Sequence, residues 1–190
     1  TLCDVINGLA GRRTPLAVLA TGTENILAKE FRCASDQDGV VRTLLRGVAT
    51  DLDVGLANGR RFLIVAGVGF DAEVVRRLVE RRRGHITHVS YAGPLWDTLV
   101  HHRFPHLRVE VDGRSVFDEP GFVFIGNLPR YSMGLRILGR ASFCDGRLDV
   151  CAFPCRSRGK LLQHAADILW RRHMDREGVA YASGRTIQIT

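Results

Sequence analysis

The spacing of apolar and polar positions changes character about a quarter of the way along the chain. Up to residue 49 it alternates between helix-like and strand-like runs. Residues 2–9 carry Val5, Ile6 and Leu9 at helical spacing, residues 11–15 read as a loop, and residues 16–20 form an unbroken apolar run that predicts a buried strand. A short polar loop, Thr21-Gly22-Thr23, follows. From Glu24 the spacing turns helical again, with Ile26, Leu27 and Phe31 on one face, and residues 38–48 predict a further helix. Strand and helix in this alternation predict an α/β unit, with a parallel sheet covered by helices. One strand does not make a sheet, so its neighbours are expected outside this chain or from elsewhere in it.

Beyond residue 49 the runs become short and strand-like. Residues 52–57 and 61–68 flank Asn58-Gly59, the strongest short hairpin signal, and Asp112-Gly113 marks a second hairpin. Residues 70–83, 86–101 and 160–171 predict helices. Residues 107–111, 115–117, 122–127, 135–138, 148–153, 179–182 and 186–189 predict strands. Many antiparallel strands with tight turns predict a β-sandwich or barrel-like unit. The expected fold class is therefore α/β plus β, with residues 1–50 a partial α/β domain and residues 51–190 an antiparallel β-sandwich domain with helices.

Composition adds a partner class. The chain has 190 residues, 45% hydrophobic and 25% charged, which suits a soluble globule. Lys and Arg number 27 against 20 Asp and Glu, a formal charge of +7. Such a surface favours anionic partners: nucleotides, nucleic acid or acidic membranes. Aromatic residues are only 7% and are not interleaved with basic ones, so no nucleic-acid partner is expected. The five cysteines are odd in number and scattered, which argues against a disulfide framework and for a reducing compartment. Cys151 and Cys155 read as packing residues. There is no signal peptide and no apolar run long enough to span a bilayer. The chain opens on Thr1 with a helical pattern already under way, so a piece of a longer protein is expected.

Several segments offer chemistry, each with a plainer alternative. In Thr21-Gly22-Thr23-Glu24-Asn25, Gly22 lets a backbone approach a phosphate and Thr23 can donate to it; a capped helix start is the alternative. Gly67-Val68-Gly69-Phe70-Asp71 reads as a strand-to-helix corner with Asp71 near the positive helix end. Asp51 and Asp53 stand at the change of texture, where a carboxylate can reach across an interdomain cleft or remain solvated. Asp145, in Cys144-Asp145-Gly146-Arg147, can serve a hard cation or a plain turn. His85 and His88 lack a metal-ligand set, and the Arg76 to Arg83 run reads as a solvated helix face or a contact for acidic headgroups. Leu128, Tyr131 and Met133 are candidate cleft-lining residues that packing explains equally well.

The order of the segments carries more than any one of them. Thr-Leu-x-x-Val-x-Asn-Gly-Leu (from Thr1), Gly-Thr-x-Asn-x-x-Ala (from Gly22), Asp53-Val54-Gly55, Asn58-Gly59-Arg60-Arg61-Phe62, Gly67-Val68-Gly69-Phe70-Asp71-Ala72, Asn127-Leu128-Pro129 and Asp145-Gly146-Arg147-Leu148-Asp149-Val150 follow one another along the whole chain. This series resembles the diacylglycerol kinase catalytic-domain family, which includes bacterial lipid kinases and sphingosine kinases. The resemblance implies a phosphofructokinase- or NAD-kinase-like α/β domain followed by a β-sandwich, with the active site in the cleft between them. It implies transfer of the ATP γ-phosphate to a lipid hydroxyl, diacylglycerol-like or sphingoid, with ATP and Mg²⁺ as cofactors. The enzyme is then expected to be cytoplasmic and peripheral to the membrane that holds its lipid substrate. A homodimer is among the assemblies the resemblance allows.

Residue by residue, Thr1 matches the final Thr of the family's Gly-Gly-Asp-Gly-Thr nucleotide motif. Gly22, Thr23 and Asn25 match a second nucleotide loop, and Asp53 matches an acidic member of the metal–water network. Asp145 and the carbonyl of Leu148 match a structural metal site. Ile26 and Cys144 stand where members often have Asp. The family's general base lies in a Val-Asp-Gly-Glu-like segment near the C-terminus, which is expected beyond Thr190. No catalytic base is therefore assigned within the chain, and it is expected to be inactive alone. A relative of NAD kinase and a non-catalytic nucleotide- or lipid-binding module are the alternatives.

Overall fold

The computed structural model describes residues 2–81 and 88–190. Three helices open the chain: α1 (Leu2–Gly8), α2 (Ile26–Glu30) and α3 (Gln37–Arg46). A hairpin of β1 (Gly55–Ala57) and β2 (Arg60–Phe62) leads into β3 (Val65–Val68), α4 (Phe70–Glu80) and α5 (Ala92–His101). Then come β4 (His106–Val111), β5 (Arg114–Gly126), β6 (Leu148–Pro154), α6 (Arg158–Leu169), β7 (Ala180–Gly184) and β8 (Ile187–Ile189).

The long strand β5 organises the sheet, whose order is β7-β6-β5-β4-β8 with β3 also on β5. Its first half pairs antiparallel with β4, from Val111↔Arg114 to His106↔Pro120. Its second half pairs with β6, from Gly121↔Pro154 to Gly126↔Asp149, and with β3, from Val68↔Val123 to Val65↔Gly126. The sequence reads two strands here because Asp118-Glu119-Pro120-Gly121 has turn composition. Pro120 instead sits where the partner changes, so its missing N–H interrupts no ladder. Gly121 is required there, since a Cβ would collide with the Phe153 carbonyl oxygen.

Side-chain alternation on β5 and β6 divides the core into two layers. Phe122, Phe124, Cys151 and Phe153 face Leu161 and Ile168 of α6, with Phe70 of α4 and Leu99 of α5 packed against them. Val123, Ile125, Val150 and Ala152 face Leu107, Val109, Val111 and Phe117, flanked by Ile187 and Ile189. Burial on both faces explains why these strands read as nearly continuous apolar runs.

Both expected hairpin turns form. Asn58 and Gly59 have φ 49° and 82°, and Asp112 and Gly113 have φ 50° and 78°, the doubly left-handed geometry that Asn-Gly and Asp-Gly tolerate. Asp112 Oδ1 also accepts from the Arg185 and Thr186 amides, both at 2.9 Å, tying the β4–β5 tip to the β7–β8 turn.

The expected strand at residues 16–20 does not form. No described strand lies beside it, and Leu16 and Leu19 are 43% and 54% exposed. An apolar run becomes a strand only when a neighbour offers a ladder, and here none does. Residues 135–138 make only an isolated bridge, Arg130↔Arg136, while Ile137 and Leu138 fill the core. Burial, not pairing, selected their side chains. The helix expected over residues 86–101 begins as a 3-10 turn, His88–Tyr91, and becomes α-helical at Ala92; residues 86 and 87 lie outside the described residues. Pro94 is the third residue of α5, where its missing N–H costs no helical bond.

The cysteines are free, and Cys151 and Cys155 are buried in the core as packing residues. Among the described residues no helix is long and apolar enough to cross a membrane.

Candidate functional site

The segment from Asn127 to Arg147 connects β5 to β6 and holds most of the residues singled out by motif. Asp53 is fixed to it three times. Its amide donates to the Phe143 carbonyl at 2.7 Å, its Oδ2 accepts from the Gly146 amide at 2.7 Å, and its carbonyl accepts from Asn127 Nδ2. Gly146 lies at φ 71°, within a turn that Asp145 closes by accepting from the Arg147 amide at 3.0 Å. The Arg147 guanidinium then donates to the Ser183 carbonyl at 2.6 Å, anchoring the turn to β7. Leu148 opens β6 opposite Gly184. Asp53 and Asp145 are thus brought to one turn, although 92 positions separate them in the chain.

The Gly22 loop attaches to the same segment at another point. Glu24 accepts from the Met133 amide at 3.0 Å and from Ser132 Oγ at 3.4 Å. Glu30 pairs with Arg130 at 2.7 Å, and the Phe31 and Phe143 rings meet edge-on with centroids 5.0 Å apart. Among the described residues no hydrogen bond joins Gly22 or Asn25 to Asp53.

The loop differs from its sequence expectation in one respect. The helix begins at Ile26 rather than Glu24, and its N-cap is Asn25, left-handed at φ 48°, rather than Thr23. Asn25 spends its amide on the loop itself: Oδ1 accepts from the Gly22 amide at 2.7 Å, and Nδ2 donates to the Gly22 carbonyl at 2.6 Å. The Gly22 N–H is therefore part of the loop's own scaffold. With α2 only five residues long, the helix dipole adds little to this spot. Thr1 lies outside the described residues, as does His85. Its neighbour helix α1 is clamped by Asn7, which donates to the Arg61 carbonyl and accepts from the Arg61 amide, both at 2.9 Å, in the manner of a paired strand.

Thr190 has a structural place in the sheet. Its carbonyl accepts from the Arg108 amide at 2.9 Å, and its amide donates to the Arg108 carbonyl at 3.0 Å. This exchange extends the β4–β8 ladder by one residue past Ile189. Backbone groups make both bonds, so the hydroxyl of Thr190 is not what holds it there.

The donor set near Asp53 suits a hydrated Mg²⁺ rather than a closed cage. Among the described residues no group of three or more His, Cys, Asp or Glu side chains gathers. Asn127 is 1% exposed, and its Oδ1 is buried with no hydrogen-bond donor. Asp53 and Asp145 each have one carboxylate oxygen engaged by an amide, leaving the other for a cation or its water. Mg²⁺ keeps several waters and needs only one or two carboxylates, so these residues fit it.

A cavity of about 750 Å³ opens beside Asp53 and Gly146. Its walls are largely apolar, including Leu56, Val68, Ile125 and Ile187, with Arg147 and Arg185 among the polar lining. Leu128, Tyr131 and Met133 are not part of this wall. Leu128 is buried in the core at 1% exposure and Met133 is 72% exposed.

Tyr131 has a different place, unseen in the sequence. Its hydroxyl lies 2.9 Å from both carboxylate oxygens of Asp71, at the start of α4. Burial pushes the Asp71 carboxyl above its usual range, and the Tyr131 hydrogen bond only partly opposes this. Burial and the Asp71 charge together push the Tyr131 phenol up, so it stays a donor. Since Tyr131 immediately precedes Ser132 and Met133, this bond braces the turn that holds Glu24.

Asp71 also gives a pH signature. Its folded pKa exceeds its unfolded one, so the native state binds the extra proton and gains stability as pH falls through the folded value towards about 4. Denaturation of the native chain and of Asp71→Asn at neutral and mildly acidic pH should show the native chain gaining relative to the variant on acidification. A difference independent of pH would refute the assignment. The carboxylates of Asp112 and Asp167, held below their usual range by backbone amides and by Arg176 respectively, act in the opposite direction but cancel in this comparison.

Of the arginine-rich run, Arg76 and Arg77 pair with Glu73, and Arg81 pairs with Asp97. Arg76 and Arg81 are more than half exposed, as on a solvated helix face, whereas the Arg77–Glu73 pair is half-buried.

Residues 1–57 match the family described as the diacylglycerol kinase catalytic domain. Residues 64–190 match the YegS C-terminal NAD kinase beta sandwich-like domain. The chain is 24% identical to a diacylglycerol kinase of Bacillus subtilis, aligning over 100% of this chain and 63% of that protein. It is 29% identical to a diacylglycerol kinase of Mycobacterium tuberculosis, over 98% of this chain and 62% of that one. The chain therefore spans less than two thirds of the length of these relatives. A solved structure, a putative diacylglycerol kinase from Bacillus anthracis str. Sterne, superimposes with a TM-score of 0.71 at 20% identity, covering 99% of this chain and 63% of that one. That likeness establishes the fold. The second match spans about two thirds of the chain, so the chain belongs to the family of the YegS C-terminal NAD kinase beta sandwich-like domain, preceded by a segment similar to the diacylglycerol kinase catalytic domain.

Proposed function

We propose that the chain is the part of an ATP-dependent lipid kinase that joins the nucleotide side of the active site to the lipid side, the acceptor being a diacylglycerol-like or sphingoid hydroxyl met at a membrane surface. The observation that carries this reading is the position of Asp53. It is bonded to the Asp145 turn, shares the Asn127–Arg147 segment with the Gly22 loop, and lines the mouth of an apolar cavity.

The chemistry divides accordingly. Phosphoryl transfer rests on positioning and on neutralising charge around the phosphate oxygens. The Gly22–Asn25 ring of hydrogen bonds holds one loop in a single shape, and Glu24 fixes that loop against the sandwich. Asp53 orients the Asp145 turn through the Gly146 amide, and Asn127 holds the Asp53 backbone. Asp145 and the Leu148 carbonyl would hold a structural cation, while the free carboxylate oxygen of Asp53 would hold a hydrated Mg²⁺ that would supply positive charge for the phosphates. The apolar cavity accepts acyl or alkyl chain, and its arginines face an anionic group.

The test is transfer of label from γ-labelled ATP by the full-length protein containing this chain. Diacylglycerol vesicles, sphingosine vesicles and NAD are offered separately. Label in the lipid fraction is expected. Label in NAD alone, or in none, would overturn the reading.

A further inference from the structure

A second cavity, of about 540 Å³, lies between the end of α5 and the start of α6 and shares no lining residue with the one beside Asp53. Three arginines line it: Arg103, Arg156 and Arg158. Its apolar side is Phe104 and Pro120. His102 completes the wall, set edge-on between the Phe70 and Phe104 rings at centroid distances of 5.5 and 5.1 Å. Burial there lowers the His102 pKa, so it adds no charge at neutral pH.

The arginines are unequally occupied. Arg158 donates to the Val100 carbonyl and so fixes α6 to α5. Arg156 meets Glu119 at 3.3 Å, but is 72% exposed. Arg103 makes no ion pair or hydrogen bond among the described residues. Three guanidinium groups therefore face one carboxylate, and the excess is positive. Guanidinium forks match phosphate geometry, and several around one cavity form an anion site in a way that scattered lysines do not. Ser157, the remaining lining residue, caps the twelve-residue α6 by accepting from the Lys160 amide at 3.2 Å, so the pocket sits at the start of that helix.

We propose that this pocket binds a phosphate group, free in solution or carried as the headgroup of an anionic phospholipid. It is a site apart from the proposed phosphoryl-transfer centre, so its failure would leave that reading intact.

The test uses the 190-residue chain. Inorganic phosphate is titrated by calorimetry, and co-sedimentation is measured with phosphatidylcholine vesicles lacking or containing phosphatidic acid. The double variant Arg103→Gln/Arg156→Gln spares Arg158, whose contact supports the helix packing. A second double variant, Arg12→Gln/Arg13→Gln, makes the same charge change at exposed positions away from the pocket. The pocket variant should bind about tenfold more weakly with an unchanged Tm, and the control variant should bind like the native chain. Binding of inorganic phosphate that vesicles do not improve identifies a soluble ligand. Sedimentation only with phosphatidic acid, not displaced by free phosphate, identifies a headgroup. The proposal is overturned if the native chain binds neither probe, if the pocket variant binds like the native chain, or if both variants weaken equally.

Discussion

Replacing Phe153 with alanine is expected to destabilise the chain by about 3–5 kcal/mol. Phe153 is fully buried in β6, and its ring stacks on Phe122 with centroids 4.9 Å apart and planes 9° apart. The rings of His164 and His173 lie 5.3 and 5.8 Å away. These neighbours are themselves fixed. His164 donates from Nε2 to the Pro154 carbonyl at 2.8 Å, and His173 donates from Nε2 to the Ile137 carbonyl at 2.9 Å. Paired strands on either side prevent β6 from moving into the space, so most of the cavity persists and its full cost is felt. The expected loss is a large share of the stability of an ordinary domain. Urea denaturation measures it, with Trp96→Ala as the control. Trp96 is 65% exposed, and its removal should change stability by no more than about 0.5 kcal/mol. A Phe153→Leu variant, with a smaller loss, covers the case in which the alanine variant does not fold. Near-equal stability of Phe153→Leu, Phe153→Ala and Trp96→Ala would contradict this account of the core.

The two hairpins and β6 are legible in the sequence because their causes are local. Asn-Gly and Asp-Gly permit the left-handed turn whatever surrounds them, and a strand buried on both faces carries its own apolar run. Residues 16–20, apolar throughout, and 135–138, apolar except for Arg136, are not strands. Pairing is a property of the neighbour, and the run itself holds no record of whether one is present. The site divides in the same way. Asp53 and Asp145 are found through the order of motifs along the chain, although nothing in either segment announces the Asp53–Gly146 hydrogen bond. Tyr131 and Asp71 are 60 positions apart, and Glu24 and Met133 are 109 apart. Neither pair has any periodicity or spacing to betray it. The Gly22 amide shows the reverse case: composition points to a phosphate donor, while the neighbouring Asn25 supplies a nearer acceptor that composition cannot rank.

Asp53→Asn in the full-length protein is expected to lower kcat/KM for lipid phosphorylation about a hundredfold, with little change in Tm. The substitution is chosen because Asp53 has two separable properties. One is an acceptor, Oδ2, that holds the Gly146 amide at 2.7 Å. Asparagine retains an acceptor in that place, so the Asp145 turn should keep its shape. The other is a negative charge, with Oδ1 left unengaged by the Gly146 amide. Asparagine removes it, and with it the attraction for a hydrated cation. Asp53→Ala removes both and leaves the exposed Gly146 amide to water, at a further cost of about 0.5–1.5 kcal/mol in stability. If the role of Asp53 is to hold the turn, the asparagine variant will turn over within a few-fold of the native enzyme and only the alanine variant will fail. If the role is electrostatic, both will fail, and raising Mg²⁺ will recover part of the loss in the asparagine variant by mass action. The backbone of Asp53 contributes equally in all three proteins, through its amide to Phe143 and its carbonyl to Asn127. Differences among them therefore report the carboxylate alone, and activity and Tm moving together in the asparagine variant would place Asp53 in the scaffold rather than in the phosphate site.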